Sequence, residues 1–216
     1  MPFRSAASIF CPIRCAMVAV LLVITSMAAA RAATVFDDFG AGNAYNSSSG
    51  YNVTGLSTAG GSNLSYMAFT PSVSVSLTKL DIALSYSGAS GTNSAVITLM
   101  SDWFGLPFGT QLGTWAVNNL PNFGTCCTVQ TVIPSSPIIL FAGTQYWIGA
   151  GPGAADTLAT WNRNATGATG KVVDVFTNVP SCNCSGYVSD FSDPLGAPSM
   201  LLVTQSPSPR RAGSRP

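Results

Sequence analysis

The fold is decided by residues 137–152, which read Pro137-Ile-Ile-Leu-Phe-Ala-Gly-Thr-Gln-Tyr-Trp-Ile-Gly-Ala-Gly-Pro152. The run is apolar, β-branched and aromatic, and it ends in a Gly-Pro turn signal, as a buried strand does. In its second half alternate residues form two faces, one with Tyr146, Ile148 and Ala150 and the other with Gln145, Trp147 and Gly149. Because both faces carry bulk, we expect a strand inside a sheet, entered through a bend at 142–144.

Other strand-like segments lie on both sides of this run and are separated by turn signals. They are predicted at 51–56, 64–70, 73–86, 95–100, 111–117, 128–133, 156–162, 171–177 and 199–204. Within 73–86 the apolar residues change parity near Thr78 and Lys79, which predicts a β-bulge or a corner. We expect 95–100 to return as the hairpin partner of this segment. Without a convincing helix, the sequence predicts an all-β, antiparallel β-sandwich or jelly roll of about 8–10 short strands.

The N-terminus has the parts of a secretory signal peptide. Arg4 and Arg14 supply a basic region, residues 16–28 supply an apolar core, and Ala30-Arg31-Ala32 fits the small-x-small cleavage rule. We therefore expect three parts: a signal peptide at 1–32, a β-sandwich domain at 33–205 and a disordered Pro/Arg tail at 206–216. The protein is expected to be secreted, extracellular or at the cell surface, with no transmembrane segment in the mature chain. The alternative is an uncleaved membrane anchor, for which the apolar core is short.

Composition excludes several chemistries. Hydrophobic residues make up 47% of the 216 residues and charged residues only 8%, and the sequence contains no His and no Glu. Sites of the Ser-His-Asp and Cys-His types and His-ligated metal sites are therefore excluded. A glycoside hydrolase would need two aspartates to fill both carboxylate roles. The sequence predicts no enzyme, and an Asp-dependent glycoside hydrolase is kept as the second alternative.

The charge of the predicted domain argues against nucleic acid as a partner. Its basic residues are Lys79, Arg163 and Lys171, and they face eight aspartates, a balance of −5. Binding to phosphates requires clustered Lys and Arg. The arginines of the tail are too few to reverse this balance.

Four cysteines remain after the leader, namely Cys126, Cys127, Cys182 and Cys184. In an exported chain this number suggests two disulfides. Joining neighbours would strain the geometry, so we expect Cys126 and Cys127 to bridge to the later pair. The rival is a zinc site, although C-C and C-x-C differ from the usual C-x2-C spacing. No metal or cofactor is predicted; a structural calcium on turn aspartates is the alternative.

The four tryptophans divide by their sequence context. Trp115 and Trp147 lie in strand-like segments and are predicted to be core residues, because aromatic rings bury large areas. Trp103 and Trp161 lie beside loop residues, and we expect them to be partly exposed. These two are the candidate carbohydrate-binding residues of a carbohydrate-binding module, the first alternative function.

Six short motifs follow one another along the domain: Asp37-Asp38-Phe39-Gly40, Ala68-Phe69-Thr70-Pro71, Leu80-Asp-Ile-Ala-Leu84, Gly91-Thr-Asn93, Leu140-Phe-Ala-Gly-Thr-Gln-Tyr-Trp147 and Thr160-Trp-Asn162. Together they resemble the exported bacterial choice-of-anchor domains, many of which carry a PEP-CTERM sorting signal. The resemblance implies a non-catalytic β-sandwich protein of the cell surface or extracellular matrix, with extracellular polysaccharide or other surface proteins as partners. The tail departs from it, because Ser206-Pro-Ser-Pro-Arg-Arg211 contains no Glu and no apolar span, so the anchor is not recognisable.

We predict that the exported protein begins near Ala33, since cleavage after Ala32 removes the apolar core with the leader. Intact-mass analysis of the exported protein checks this directly. A chain that still began at Met1 and was extracted only by detergent would show an uncleaved anchor instead.

Overall fold

The computed structural model describes residues 32–179, 184–190, 198 and 200–205. The predicted leader up to Arg31 and the tail from Ser206 lie outside these residues. The described chain has no helix and therefore none that is long and apolar enough to cross a membrane. It forms 14 strands: β1 (Ala32–Asp37), β2 (Tyr45–Thr54), β3 (Ser62–Phe69), β4 (Val75–Ile82), β5 (Leu84–Tyr86), β6 (Ser94–Ser101), β7 (Gln111–Asn118), β8 (Gln130–Val132), β9 (Ile138–Leu140), β10 (Tyr146–Pro152), β11 (Leu158–Asn164), β12 (Val172–Val179), β13 (Cys184–Asp190) and β14 (Met200–Gln205).

The strands form two antiparallel sheets, which confirms the predicted all-β sandwich with more strands than expected. The smaller sheet has the order β1-β14-β4, and β8 and β9 both pair along the other edge of β4. The larger sheet is curled and has two arrays, β5-β11-β2 and β13-β12-β3-β10-β6-β7. The arrays join where Thr54 of β2 pairs with Asn63 of β3.

The central strand of the larger sheet is β10, as predicted. Residues 146–150 pair with β3 on one edge and with β6 on the other. Tyr146, Ile148 and Ala150 belong to the apolar cluster between the sheets, which also includes residues of the smaller sheet, such as Leu77, Leu80, Leu140, Met200 and Leu202. Trp147 is fully buried, as predicted, but it points to the opposite face of the strand.

The run 137–152 contains two strands that belong to different sheets. Its first part, β9, pairs with β4 in the smaller sheet, whereas β10 lies in the larger one. Residues 141–145 carry the chain across, and Gly143 adopts a φ of 70° within this turn. The backbone N–H of Phe141 donates to the Tyr146 hydroxyl (3.0 Å), which closes the turn. The bend predicted at 142–144 is therefore the corner between the sheets.

The predicted parity switch in β4 is a β-bulge. Lys79 pairs with Val203 and Leu77 pairs with Thr204, which places Thr78 in the bulge. At this point β4 also changes its other neighbour, from β9 to β8. A bulge adds one extra residue to the strand. The apolar residues on both sides of the bulge can therefore point toward the core, although one set has odd numbers and the other has even numbers.

The hairpin predicted between 73–86 and 95–100 is wrong. The chain leaves the smaller sheet at Ala83, so β5 pairs with β11 in the larger sheet, whereas β6 pairs with β10 and β7. At this crossing the backbone N–H and Nδ2 of Asn162 donate to the Ala83 carbonyl (2.8 and 3.1 Å). A pattern of apolar residues identifies the buried face of a strand, but it does not identify the neighbouring strand.

Trp147→Ala should lower the free energy of unfolding by about 3–5 kcal/mol, because it empties a fully buried site in the central strand. Trp103→Ala is the matched control, and it should change stability by no more than about 0.5 kcal/mol because this side chain is 53% exposed. Urea denaturation of both variants measures the difference. Equal midpoints for the two variants would contradict the central role of β10.

Candidate functional site

The β6–β7 loop, residues 102–110, contains a tight turn over residues 103–106. Trp103 and Leu106 exchange two backbone hydrogen bonds of 2.9 and 3.1 Å. Between them Phe104 and Gly105 have φ values of 51° and 82°, as in a type I′ turn. Asn, Asp and Gly are the usual residues at these positions, and a bulky side chain in this conformation costs on the order of 1–3 kcal/mol.

The two aromatic side chains of this turn point into solvent. Phe104 is 89% exposed and Trp103 is 53% exposed. Their rings meet edge to face, with centroids 5.2 Å apart and planes inclined by 81°. The turn therefore presents a projecting aromatic pair, not a flat strip of coplanar rings.

Neighbouring loops add more apolar side chains at the same end of the sandwich. Loop 141–145 contacts loop 70–74, where the backbone N–H of Ala142 donates to Ser74 Oγ (3.0 Å), and it contacts the 102–110 loop through Gln145. We call the exposed apolar side chains of these loops the aromatic end, which comprises Val73, Trp103, Phe104, Phe108 and Phe141.

A set of polar contacts, which we call the polar clamp, holds the turn from below. Asp102 accepts hydrogen bonds at Oδ2 from the Gly105 N–H (2.8 Å) and at Oδ1 from Gln145 Nε2 (2.6 Å) and Trp147 Nε1 (2.8 Å). Lys171 Nζ donates to the Gly105 carbonyl (2.5 Å) and lies 5.2 Å from the centre of the Trp147 ring, a cation–π contact. Gly105 is thus fixed through both of its backbone polar groups.

The electrostatics of the clamp favour an ionised Asp102. Burial tends to raise the pKa of this carboxyl, but hydrogen bonds from Trp147, Gly105 and Gln145 and the charge of Lys171 together lower it below 3.8. Asp102 therefore stays an acceptor for all its donors at neutral pH. A side chain at Gly105 would meet Lys171 Nζ at 3.0 Å and would be strained by the positive φ.

The structure separates the two candidate carbohydrate-binding tryptophans. Trp103 is exposed, as predicted, but Trp161 is fully buried in the cluster between the sheets, so its predicted exposure is wrong. The reason is that β11 has neighbours on both edges, β2 and β5, and Trp161 faces the second sheet. Trp115, predicted to be a core residue, is only partly buried. Sequence reasoning did not single out Phe104, although the Phe-Gly pair in a Gly/Pro-rich loop signals a turn.

The disulfide prediction needs a correction. Cys126 and Cys127 are bonded to each other and not to the later pair. The peptide bond between them is cis, and their Cα atoms lie 3.2 Å apart. Cys182 lies outside the described residues, and of Cys184 only the backbone is described.

The loop that carries this disulfide is tied down by Tyr45. The Tyr45 hydroxyl lies within hydrogen-bonding distance of the carbonyls of Thr125 (3.1 Å) and Thr128 (3.2 Å), on either side of the cysteines, and its one hydrogen is shared between them. Cys126 Sγ lies 3.7 Å from the Tyr45 carbonyl oxygen. This is a van der Waals contact and not a hydrogen bond, because a sulfur in a disulfide carries no hydrogen. Cys127 packs on a small apolar cluster of Phe39, Tyr45 and Ala83.

A cleft of about 420 Å³ lies at the end of the larger sheet opposite the aromatic end, and Asp156 supplies the one carboxylate among its lining residues. Glycoside hydrolysis requires two carboxyl groups that flank the bond. In the described part of the chain no group of three or more His, Cys, Asp or Glu residues is placed to hold a metal. Asp193 and the side chain of Asp190 lie outside it.

One carboxyl, that of Asp38, is buried at the junction of β1 and β14. Its Oδ1 accepts the Met200 N–H (2.7 Å), and its Oδ2 is buried with no hydrogen-bond partner among the described residues. Burial raises the pKa of Asp38 to about 7; the Met200 hydrogen bond lowers it in part, and the nearby charge of Asp37 raises it further. In acidic solution Asp38 is therefore neutral in the folded protein.

The comparisons with known proteins assign no family. No protein-family model matches the sequence, and no curated protein shows significant similarity to it. The resemblance to choice-of-anchor domains stays a prediction based on the motifs. The geometry of the aromatic end is the strongest guide to function.

Asp38→Asn should flatten the dependence of stability on pH. The pKa of Asp38 is raised from 3.8 to about 7 in the folded protein. Between these two pH values the folded state therefore binds more protons than the unfolded state. As pH rises from about 4 to 7, the contribution of Asp38 to the free energy of unfolding falls. Asn keeps an oxygen for the Met200 N–H but cannot ionise. Urea denaturation at several pH values from about 4 to 7 gives the free energy of unfolding of parent and variant. This free energy should fall more steeply with rising pH in the parent than in the variant. Asp156→Asn, at an exposed site, is the control, and parallel profiles for parent and Asp38→Asn would refute the assignment.

Proposed function

We propose that this protein is a secreted, non-catalytic attachment protein of a bacterial cell surface or extracellular matrix, and that the aromatic end is its contact surface. The leader and the choice-of-anchor motifs support the compartment and the class of protein. The aromatic end supports the contact surface. Its role in binding is inferred from one residue above all.

The observation that carries the proposal is Phe104. Its side chain is 89% exposed, so it adds almost nothing to the core, and its backbone has the left-handed φ of 51°. Folding alone would favour Asn, Asp or Gly at this position. Strained residues held by their surroundings are characteristic of binding sites, and the polar clamp supplies such surroundings here. An exposed aromatic anchor on a rigid turn loses little conformational entropy on binding.

The shape of the aromatic end favours another surface protein as its partner. Trp103 and Phe104 project with their planes inclined by 81°, whereas a sugar-stacking strip presents flat, exposed rings. A projecting aromatic pair fits an apolar recess, as aromatic hot-spot residues do at protein interfaces. Polysaccharide contact through Trp103 is the alternative, in which the exposed indole alone would stack on a sugar.

The test replaces Trp103 and Phe104 together by Ser in the exported protein of its native host. The fraction that stays with cells or matrix, measured against the fraction in the medium, should fall at least about tenfold, because each aromatic anchor contributes 2 kcal/mol or more at a typical hot spot. Asp102→Asn should give a smaller loss, since it weakens the clamp and leaves both rings in place.

The matched control replaces Leu56 and Ile133 by Ser, because both are exposed apolar residues outside the aromatic end. This variant should stay attached like the parent. Equal retention of all variants, with unchanged melting, would contradict attachment through the aromatic end. Loss of binding to a glycan array only, with retention unchanged, would favour the carbohydrate-binding alternative.

A further inference from the structure

A second surface lies at the open side of the sandwich, where β7 faces the connection between β8 and β9. There a groove of about 190 Å³ separates the edges of the two sheets. Its lining includes Gly113, Thr114, Trp115, Ser135, Ser136 and Ile138. β7 pairs only with β6 among the described strands, so the groove is not covered from that side.

The Trp115 ring lies directly against the backbone of β7. A Cβ atom at Gly113 would lie 2.4 Å from Trp115 Cη2 and 2.7 Å from Cζ2, so the six-membered ring occupies the space above this glycine. Trp115 also packs on the apolar cluster between the sheets and is only partly buried. The indole is thereby held in one place while part of it lines the groove.

Two hydroxyls and the indole N–H of the groove are free to bond to a ligand. The hydroxyls of Ser135 and Ser136 make no hydrogen bond with any other residue that the structure describes, and Trp115 Nε1 makes none either. They can bond to a ligand without breaking contacts within the fold. An aromatic ring beside free hydroxyls matches a sugar, which has an apolar C–H face and a polar rim.

We propose that this groove binds one ring of a neutral polysaccharide, which stacks on Trp115 and hydrogen-bonds to Ser135 and Ser136. The volume is below the ~300–1,000 Å³ of pockets that enclose whole small molecules, which fits one unit of a longer chain. None of the described residues that line the groove is charged, and the predicted domain carries a balance of −5, which repels acidic polymers. The inference does not depend on the aromatic end.

The experiment titrates the exported protein with cellohexaose, laminarihexaose and chitohexaose by calorimetry. At least one of them should bind the parent, and Trp115→Ala should weaken this binding at least about tenfold, the loss expected for one aromatic stack. Gly113→Ala should also weaken it, because the new methyl group displaces a ring that is itself unchanged. Leu56→Ala, at an exposed site outside the groove and the aromatic end, should bind like the parent.

A double variant, Ser135→Ala with Ser136→Ala, guards against a folding defect, since both residues are exposed and outside the strands. It should melt like the parent and bind several-fold more weakly. The proposal is overturned if none of the three sugars binds the parent, or if Trp103→Ala removes the binding that Trp115→Ala leaves intact. The proposal would also be overturned if the double Ser variant and the Gly113→Ala variant both bound the sugar as tightly as the parent does.

Discussion

The structure depends on the pairing of β10 along both of its edges. This strand fixes β3 and β6 on either side, and its alternate residues serve two different environments. Tyr146 and Ile148 face the cluster shared with the smaller sheet, whereas Trp147 faces the polar clamp. The core and the aromatic end are therefore connected through a single strand, and the clamp is as rigid as the strand beneath it.

A second constraint arises where the chain leaves one sheet for the other. A backbone group at such a corner loses its ladder partner, and a buried group without a partner is costly. At Ala83 the carbonyl accepts from both the backbone N–H and Nδ2 of Asn162, and at Phe141 the Tyr146 hydroxyl accepts from the backbone N–H. These polar residues are buried because the corners need them, so polarity in a buried strand is not by itself a sign of chemistry.

Local patterns predicted the elements that depend on local periodicity. The alternation in β10 and the parity switch at Thr78 were both visible, because each concerns side-chain direction along one strand. The burial of Trp161 was not visible, since it depends on a second sheet packing over β11. The left-handed turn at Phe104 could not be predicted from local periodicity either, because residues distant in sequence hold it in place. Asp102 contacts Gln145, 43 residues away, and Lys171 contacts Gly105, 66 residues away.

Both proposed contact surfaces include residues of the β6–β7 hairpin, and the sheet topology explains why. β6 is held by β10 on one edge, and the described part of the sheet ends with β7 on the other. The hairpin thus has one anchored strand and one open side, whereas β3 and β10 have neighbours on both edges. A surface can project from this hairpin without exposing the core, because the apolar face of β6 remains covered by the smaller sheet. Changes in the turn or on β7 can alter binding separately, while a change in β10 would disturb both surfaces at once.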